Sequence, residues 1–144
     1  MTETTQAQTP VARLVPDAER LDFLPFYFGP RLMLQGEHQV YSWMRALCEE
    51  YRGGFWNYYE VPNGGFYMAP ASGQRFRVAV EGNGFECELS ADAAGIVATL
   101  FTLSHLSMSE AAGDSRDALA DSFHALRDFV STHPEAASIF RAID

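Results

Sequence analysis

The sequence predicts an α+β fold: a small antiparallel β-sheet of two consecutive hairpins, about four strands, packed with N-terminal and C-terminal helices in a single domain. Three observations carry this. Apolar residues recur at helical spacing toward both ends of the chain and alternate in the middle. Two turn signals, Pro62-Asn63-Gly64-Gly65 and Gly82-Asn83-Gly84, each separate a pair of aromatic-rich or alternating segments. The 144 residues, 47% hydrophobic and 13% aromatic, suffice for one core and are too few for two ordinary ones.

Residues 1 to 10 are rich in Thr and Gln without apolar rhythm, so a disordered tail is expected there and the domain is expected over 11 to 144. Asp17 is placed to cap a short helix running through Leu24, which Pro25 should interrupt. Phe23, Phe26, Tyr27 and Phe28 then form an aromatic cluster, read as a lid on the core. From Glu37 to Tyr51, Val40, Trp43, Met44, Leu47 and Tyr51 trace one helical face, and Arg52-Gly53-Gly54 should end that helix. Phe55 to Val61 with Phe66 to Ala69 reads as the first hairpin, and Phe76 to Val80 with Phe85 to Leu89 as the second, together an antiparallel meander. Ser90 is a good N-cap for a helix from Ala91 to about Ser107, whose Ile96, Val97, Leu100, Phe101, Leu103 and Leu106 point in most directions and predict deep burial. Ala111 to Ser115 reads as a loop, Asp114 or Ser115 as the cap of a helix to about Thr132, and Pro134 as the opening of a short terminal helix.

Nineteen acidic residues face ten basic ones, all arginine, for a net charge of −9. Non-specific affinity for duplex DNA comes from cations that displace phosphate counterions, so direct duplex binding is not expected and a basic protein partner is the better electrostatic match. No run approaches the roughly eighteen apolar residues of a membrane span, and Met1 to Pro10 is polar. A cytoplasmic monomer without a membrane contact is therefore expected. Cys48 and Cys87 lie apart without metal-like spacing and read as reduced thiols.

No catalytic chemistry is legible. The four histidines do not form HExxH, no serine sits in a GxSxG elbow, and the glycine pairs lie between strands rather than opening a helix onto a phosphate. No enzyme activity, metal or cofactor is expected. His124, beside Asp121 and Asp128, reads as a surface histidine next to acids rather than a metal ligand. Arg45, Arg52, Arg75 and Arg77 read equally as a small basic patch or as salt-bridge partners.

Two surfaces remain as interaction candidates. Asp114, Asp117, Asp121 and Asp128 fall on one face of the helix after Asp114, opposite Leu119, Phe123, Leu126 and Val130. Such a ridge is either the solvated face of an amphipathic helix or a mimic of DNA phosphates. A globule of this length spans roughly 37 Å, along which a duplex carries about 20 charges; the net −9 falls short, leaving local mimicry at most. Trp56, Tyr58 and Phe66 would form an aromatic contact patch if they were exposed together.

Read as whole strings, Glu19 to Gly29, Tyr51 to Glu60 and Asn63 to Pro70 closely resemble segments of the ArdB/KlcA antirestriction family. Gly82 to Phe85, Ser90 to Gly95, Leu126 to Phe129, His133 to Ala136 and Ala142 to Asp144 resemble further family segments in family order, so the resemblance runs from about Val11 to the C-terminus. It implies a plasmid-borne, non-enzymatic protein that helps incoming plasmid or phage DNA escape type I restriction-modification, with the restriction enzyme or a host factor acting on it as partner. It also implies an α+β fold of the family's own and carries over no active site. The alternative is an acidic plasmid maintenance or regulatory interaction protein.

Overall fold

The computed structural model describes residues 11–144, so the tail expected at 1 to 10 lies outside the described residues. The order of elements is β1 (Arg13–Leu14), a 3-10 turn at Asp17–Glu19, α1 (Arg20–Phe28), α2 (Met33–Leu47), β2 (Trp56–Glu60), β3 (Phe66–Pro70), β4 (Arg75–Val80), β5 (Phe85–Ser90), α3 (Ala91–Met108), a 3-10 segment at Glu110–Ser115, α4 (Arg116–Val130) and α5 (Ala136–Ile143). The class is α+β, as the patterning predicts.

Both turn signals close hairpins, and both asparagines do more than turn the chain. Asn63 Oδ1 accepts from the Gly65 amide at 3.2 Å, while its Nδ2 donates to the Ala125 carbonyl on α4 at 2.7 Å. Asn83 Oδ1 accepts from the Phe85 amide at 2.9 Å, and its Nδ2 donates to the Ala142 carbonyl on α5 at 2.9 Å. Each turn is thereby tied to a C-terminal helix.

The expected meander is corrected. β2 pairs β3 from Trp56↔Pro70 to Glu60↔Phe66, β4 pairs β5 from Arg75↔Ser90 to Val80↔Phe85, and the two hairpins belong to separate sheets. The amide of Arg77 on the outer edge of β4 donates to the Glu50 carboxylate at 2.6 Å, so a side chain takes the place that a neighbouring strand would hold. The first sheet gains β1 instead, antiparallel to β2 through Arg13↔Glu60 and Leu14↔Tyr59. Two residues are too short for a strand pattern to show in sequence.

α3 is the axis of the core. Ser90 caps it by accepting from the Ala93 amide at 3.1 Å, as predicted, and Glu135 braces that cap by accepting from the Ser90 amide at 3.0 Å and its hydroxyl at 2.5 Å. The helix crosses β3 so closely that a Cβ on Gly95 would lie 2.5 Å from Ala69 Cα and closer still to the Met68 carbonyl oxygen. Contrary to the expectation that no segment approaches a membrane span, α3 is 18 residues long with mean hydropathy 1.2, enough by length and composition to cross a bilayer; 67% of it is buried against the rest of the chain, which is how a central core helix passes the same test.

Three helix boundaries depart from the sequence reading. α1 runs through Pro25 rather than stopping before it. The amide that proline lacks would have donated to the carbonyl of Leu21, a 90% exposed residue whose backbone water can reach. Asp17 lies in the preceding 3-10 turn and makes no cap. α2 starts at Met33 and ends at Leu47, four residues early at each end. Gly36 is where the Phe28 ring packs onto the helix, 2.5 Å from where a Cβ would sit. Tyr51 continues the apolar spacing but lies past the helix end, buried, with its hydroxyl accepting from Trp56 Nε1 at 2.7 Å. At the start of α4, neither Asp114 nor Ser115 caps the helix. Arg31 holds this corner, donating to the carbonyls of Ala111 at 2.7 Å and Ala112 at 2.6 Å.

Candidate functional site

α4 buries Leu119, Leu126, Phe129 and Val130, with Phe123 half-buried. Asp117, Asp121 and Asp128 lie on the other side, within about 40° of one another at 100° per residue, and all three are exposed. Asp114 is exposed too but precedes the helix, in the 3-10 segment that bends at Gly113 (φ 51°). The ridge is thus three carboxylates on a helix with a fourth just beyond its N-terminus. Asp117 to Asp128 spans about 16 Å along the axis, over which a duplex presents about ten charges. That spacing argues against imitation of a phosphate backbone. Asp117, in the first turn, also complements the positive end of the helix dipole. His124 lies on the exposed side of α4, its ring edge-on to Phe123. Among the described residues, no group of three or more His, Cys, Asp or Glu is placed to hold a metal ion.

The aromatic contact patch is corrected. Trp56, Tyr58 and Phe66 are 3%, 7% and 0% exposed, all three in the core. Tyr58 stacks on Phe23 with centroids 4.4 Å apart, and Phe66 stacks on Tyr27 at 4.6 Å and meets Phe28 edge-on at 5.2 Å. The lid of α1 covers this face of the sheet while α3 covers the other. Phe26, at 77% exposure, is the one member of the expected lid that points away.

The arginine group divides. Arg75 pairs with Glu88 at 3.1 Å and Arg77 with Glu86 at 2.8 Å, which is the salt-bridge reading. The Glu86 contact raises the Arg77 guanidinium further above its ordinary value, first through the hydrogen bond and then through charge. Arg45, Arg52 and Arg77 border one cleft of about 590 Å³ together with Glu49, Glu50 and Glu86, so opposite charges balance there. Cys48 is buried and Cys87 partly so, both free thiols; burial pushes the Cys48 thiol up to about 12.

One constellation has no signature in the sequence. Asp92, in the first turn of α3, accepts from the Tyr67 hydroxyl at 2.8 Å and bonds His133 Nε2 at 2.8 Å, joining residues 25 and 41 positions away. Burial, and then the charge of Asp92, hold the Tyr67 phenol well above its ordinary range, so it stays a donor.

With this geometry established, comparison with known proteins assigns the class. The family model described as antirestriction protein matches residues 49–144, and the chain belongs to that family. Within it, two proteins of Escherichia coli described as antirestriction protein KlcA are 59% identical over 140 residues and 55% identical over 145, each alignment covering 97% of this chain and 99% of the relative. A putative antirestriction protein of Escherichia coli (strain K12), YubI, is 35% identical over 96% of this chain and 99% of its own length. A solved structure from work on the KlcA and ArdB proteins, described as showing a novel fold and antirestriction activity against type I DNA restriction systems in vivo but not in vitro, superposes with a TM-score of 0.87 at 58% identity over 100% of both chains. The family resemblance read from the ordered sequence segments is correct.

Proposed function

We propose that this chain protects incoming plasmid or phage DNA from type I restriction-modification inside the recipient cell, without catalysing a reaction, by bringing its acidic surface against a basic protein. The observation that carries this reading is the near full-length similarity, 59% identity over 97% of the chain, to proteins described as antirestriction proteins. The charge supports a protein rather than a DNA contact: net −9 with no lysine disfavours the phosphate backbone. The ridge of Asp117, Asp121 and Asp128, with Asp114 beside it, is the working surface in this reading. Activity in vivo but not in vitro, described for the solved relatives, favours a route through a host factor over direct binding of the restriction complex.

Two measurements test the reading. Unmodified phage is plated on cells with a type I system, with and without this chain, and purified chain is added to the purified restriction enzyme cutting unmodified DNA. Protection on plates with unimpeded cutting in the tube is expected. Failure to protect on plates contradicts the function, and inhibition in the tube replaces the host factor with the restriction enzyme itself.

A further inference from the structure

Away from the ridge, one slot combines aromatic walls with a carboxylate that no arginine of the described residues pairs with. It encloses about 560 Å³ between the segment leading into β1, the sheet face of β2 and β3, the first turn of α3 and the turn from α4 to α5, within the range of ordinary ligand pockets. Val11, Tyr59, Tyr67, Asp92, Phe129 and His133 line it. Tyr59 and Tyr67 stack with centroids 4.7 Å apart and planes 15° apart, and Tyr59 is half-buried.

The protonation pattern around Asp92 follows from the hydrogen bonds. The Glu135 amide donates to His133 Nδ1 at 2.9 Å, which leaves Nε2 as the ring atom that carries a proton toward Asp92, 2.8 Å away. The Tyr67 hydroxyl is the second donor. Glu19, Glu60, Glu86, Glu88, Glu135 and Asp144 each have an arginine within 4.0 Å. Asp92 has no such partner among the described residues. The dipole of α3 offsets part of its charge, and with its side chain 37% exposed Asp92 is open to a further partner from outside the chain.

Each Asp92 oxygen accepts one hydrogen bond from its own chain and can accept another. Two free acceptor sites on one carboxylate suit the planar fork of a guanidinium, and the Tyr59 ring offers it a face to stack on. The chain stacks a guanidinium on aromatic rings elsewhere: Arg20 lies 4.1 Å from the Tyr58 centroid and 4.4 Å from that of Phe55 while donating to the Trp56 carbonyl at 2.9 Å.

We propose that this slot receives an arginine side chain of a basic partner protein, forked onto Asp92 and stacked on Tyr59. The proposal rests on the reading of this chain as a protein-binding antirestriction factor and names one contact of that binding. Phe129 lies in the last turn of α4, the helix that carries Asp117, Asp121 and Asp128, and the turn after it borders the slot. A cationic segment drawn to the ridge therefore meets the slot at the end of the same helix. A lysine ammonium neither forks nor stacks as well, and an uncharged side chain brings no charge to Asp92.

The test titrates the isotope-labelled full chain with N-acetyl-arginine-amide and with N-acetyl-lysine-amide, following backbone amide signals. Saturable shifts at Tyr59, Tyr67, Asp92, Phe129 and His133 are expected with the arginine compound, and about tenfold weaker binding with the lysine compound. Asp92→Asn should abolish the shifts. Tyr59→Ala, which leaves the Tyr67–Asp92–His133 bonds in place, should weaken them in a chain whose remaining signals match the wild type. Absence of saturable shifts in the wild type, or equal shifts in Asp92→Asn, overturns the slot. Phage plating separates the two claims: protection without arginine binding leaves the antirestriction reading standing and removes the slot, while arginine binding without protection does the reverse.

Discussion

β3 is buried along all five of its residues, whereas β4 alternates, with Arg75, Arg77 and Ala79 exposed and Phe76 and Val78 buried. Both strands belong to hairpins closed by an asparagine and a positive-φ glycine, Gly64 at 93° and Gly84 at 74°. Their environments differ because the first hairpin is sandwiched between α1 and α3, while the second offers one face to solvent. A strand covered on both sides reads as continuous aromatic and apolar sequence and gives no sign of which residues face out. That is why the pattern leaves open whether Phe66, with Trp56 and Tyr58 beside it, is contact surface or core, while the outward position of Arg77 is legible from alternation.

The contrast is sharpest at Phe66. Phe66→Ala removes a fully buried ring in contact with Phe23, Tyr27 and Phe28 and should cost about 3–5 kcal/mol in denaturant unfolding. Arg77→Ala on the open face of the second hairpin should leave the midpoint where it is. Equal losses would break the distinction between the covered and the open hairpin. Gly95→Ala tests the other cover, the seam where α3 meets β3. It should destabilise by about 1–3 kcal/mol through overpacking, in spite of the higher helix propensity of alanine; a stabilised variant would mean that the helix can move off the strand.

A smaller effect is expected at the junction of the two halves. Ser90→Ala removes the cap of α3 and one bond to Glu135 and should cost about 1–2 kcal/mol. The thiols extend the comparison to chemistry. Because burial pushes Cys48 up to about 12, it stays protonated at pH 8, and a thiol-specific disulfide reagent should label one cysteine of the native chain, Cys87, releasing the second equivalent only on unfolding. Rapid labelling of both would mean that the end of α2 opens readily.

What was legible in the sequence is local. The two Asn-Gly turns, the Ser90 cap and the amphipathic α4 rest on residues within a few positions of one another, so pattern alone finds them. The departures depend on distant partners. Phe28 packs on Gly36 in the early turn of α2, Glu50 takes the Arg77 amide on the open edge of β4, and at the corner where a cap is expected at Asp114 or Ser115, Arg31 reaches across to residues 111 and 112. The acidic ridge was readable because helical spacing is a sequence property. The slot around Asp92 was not, because Tyr67 and His133 reach it only in the folded chain.

The central claim is that the outer face of α4 works through its carboxylates. The direct measurement is unmodified phage plating on cells with a type I restriction system, comparing the wild-type chain with a variant in which Asp114, Asp117, Asp121 and Asp128 are all asparagine, after unfolding curves and immunoblots show both folded and equally abundant. Loss of protection in the variant alone is predicted. Full protection by the folded variant would contradict the claim and make the ridge a solvated face.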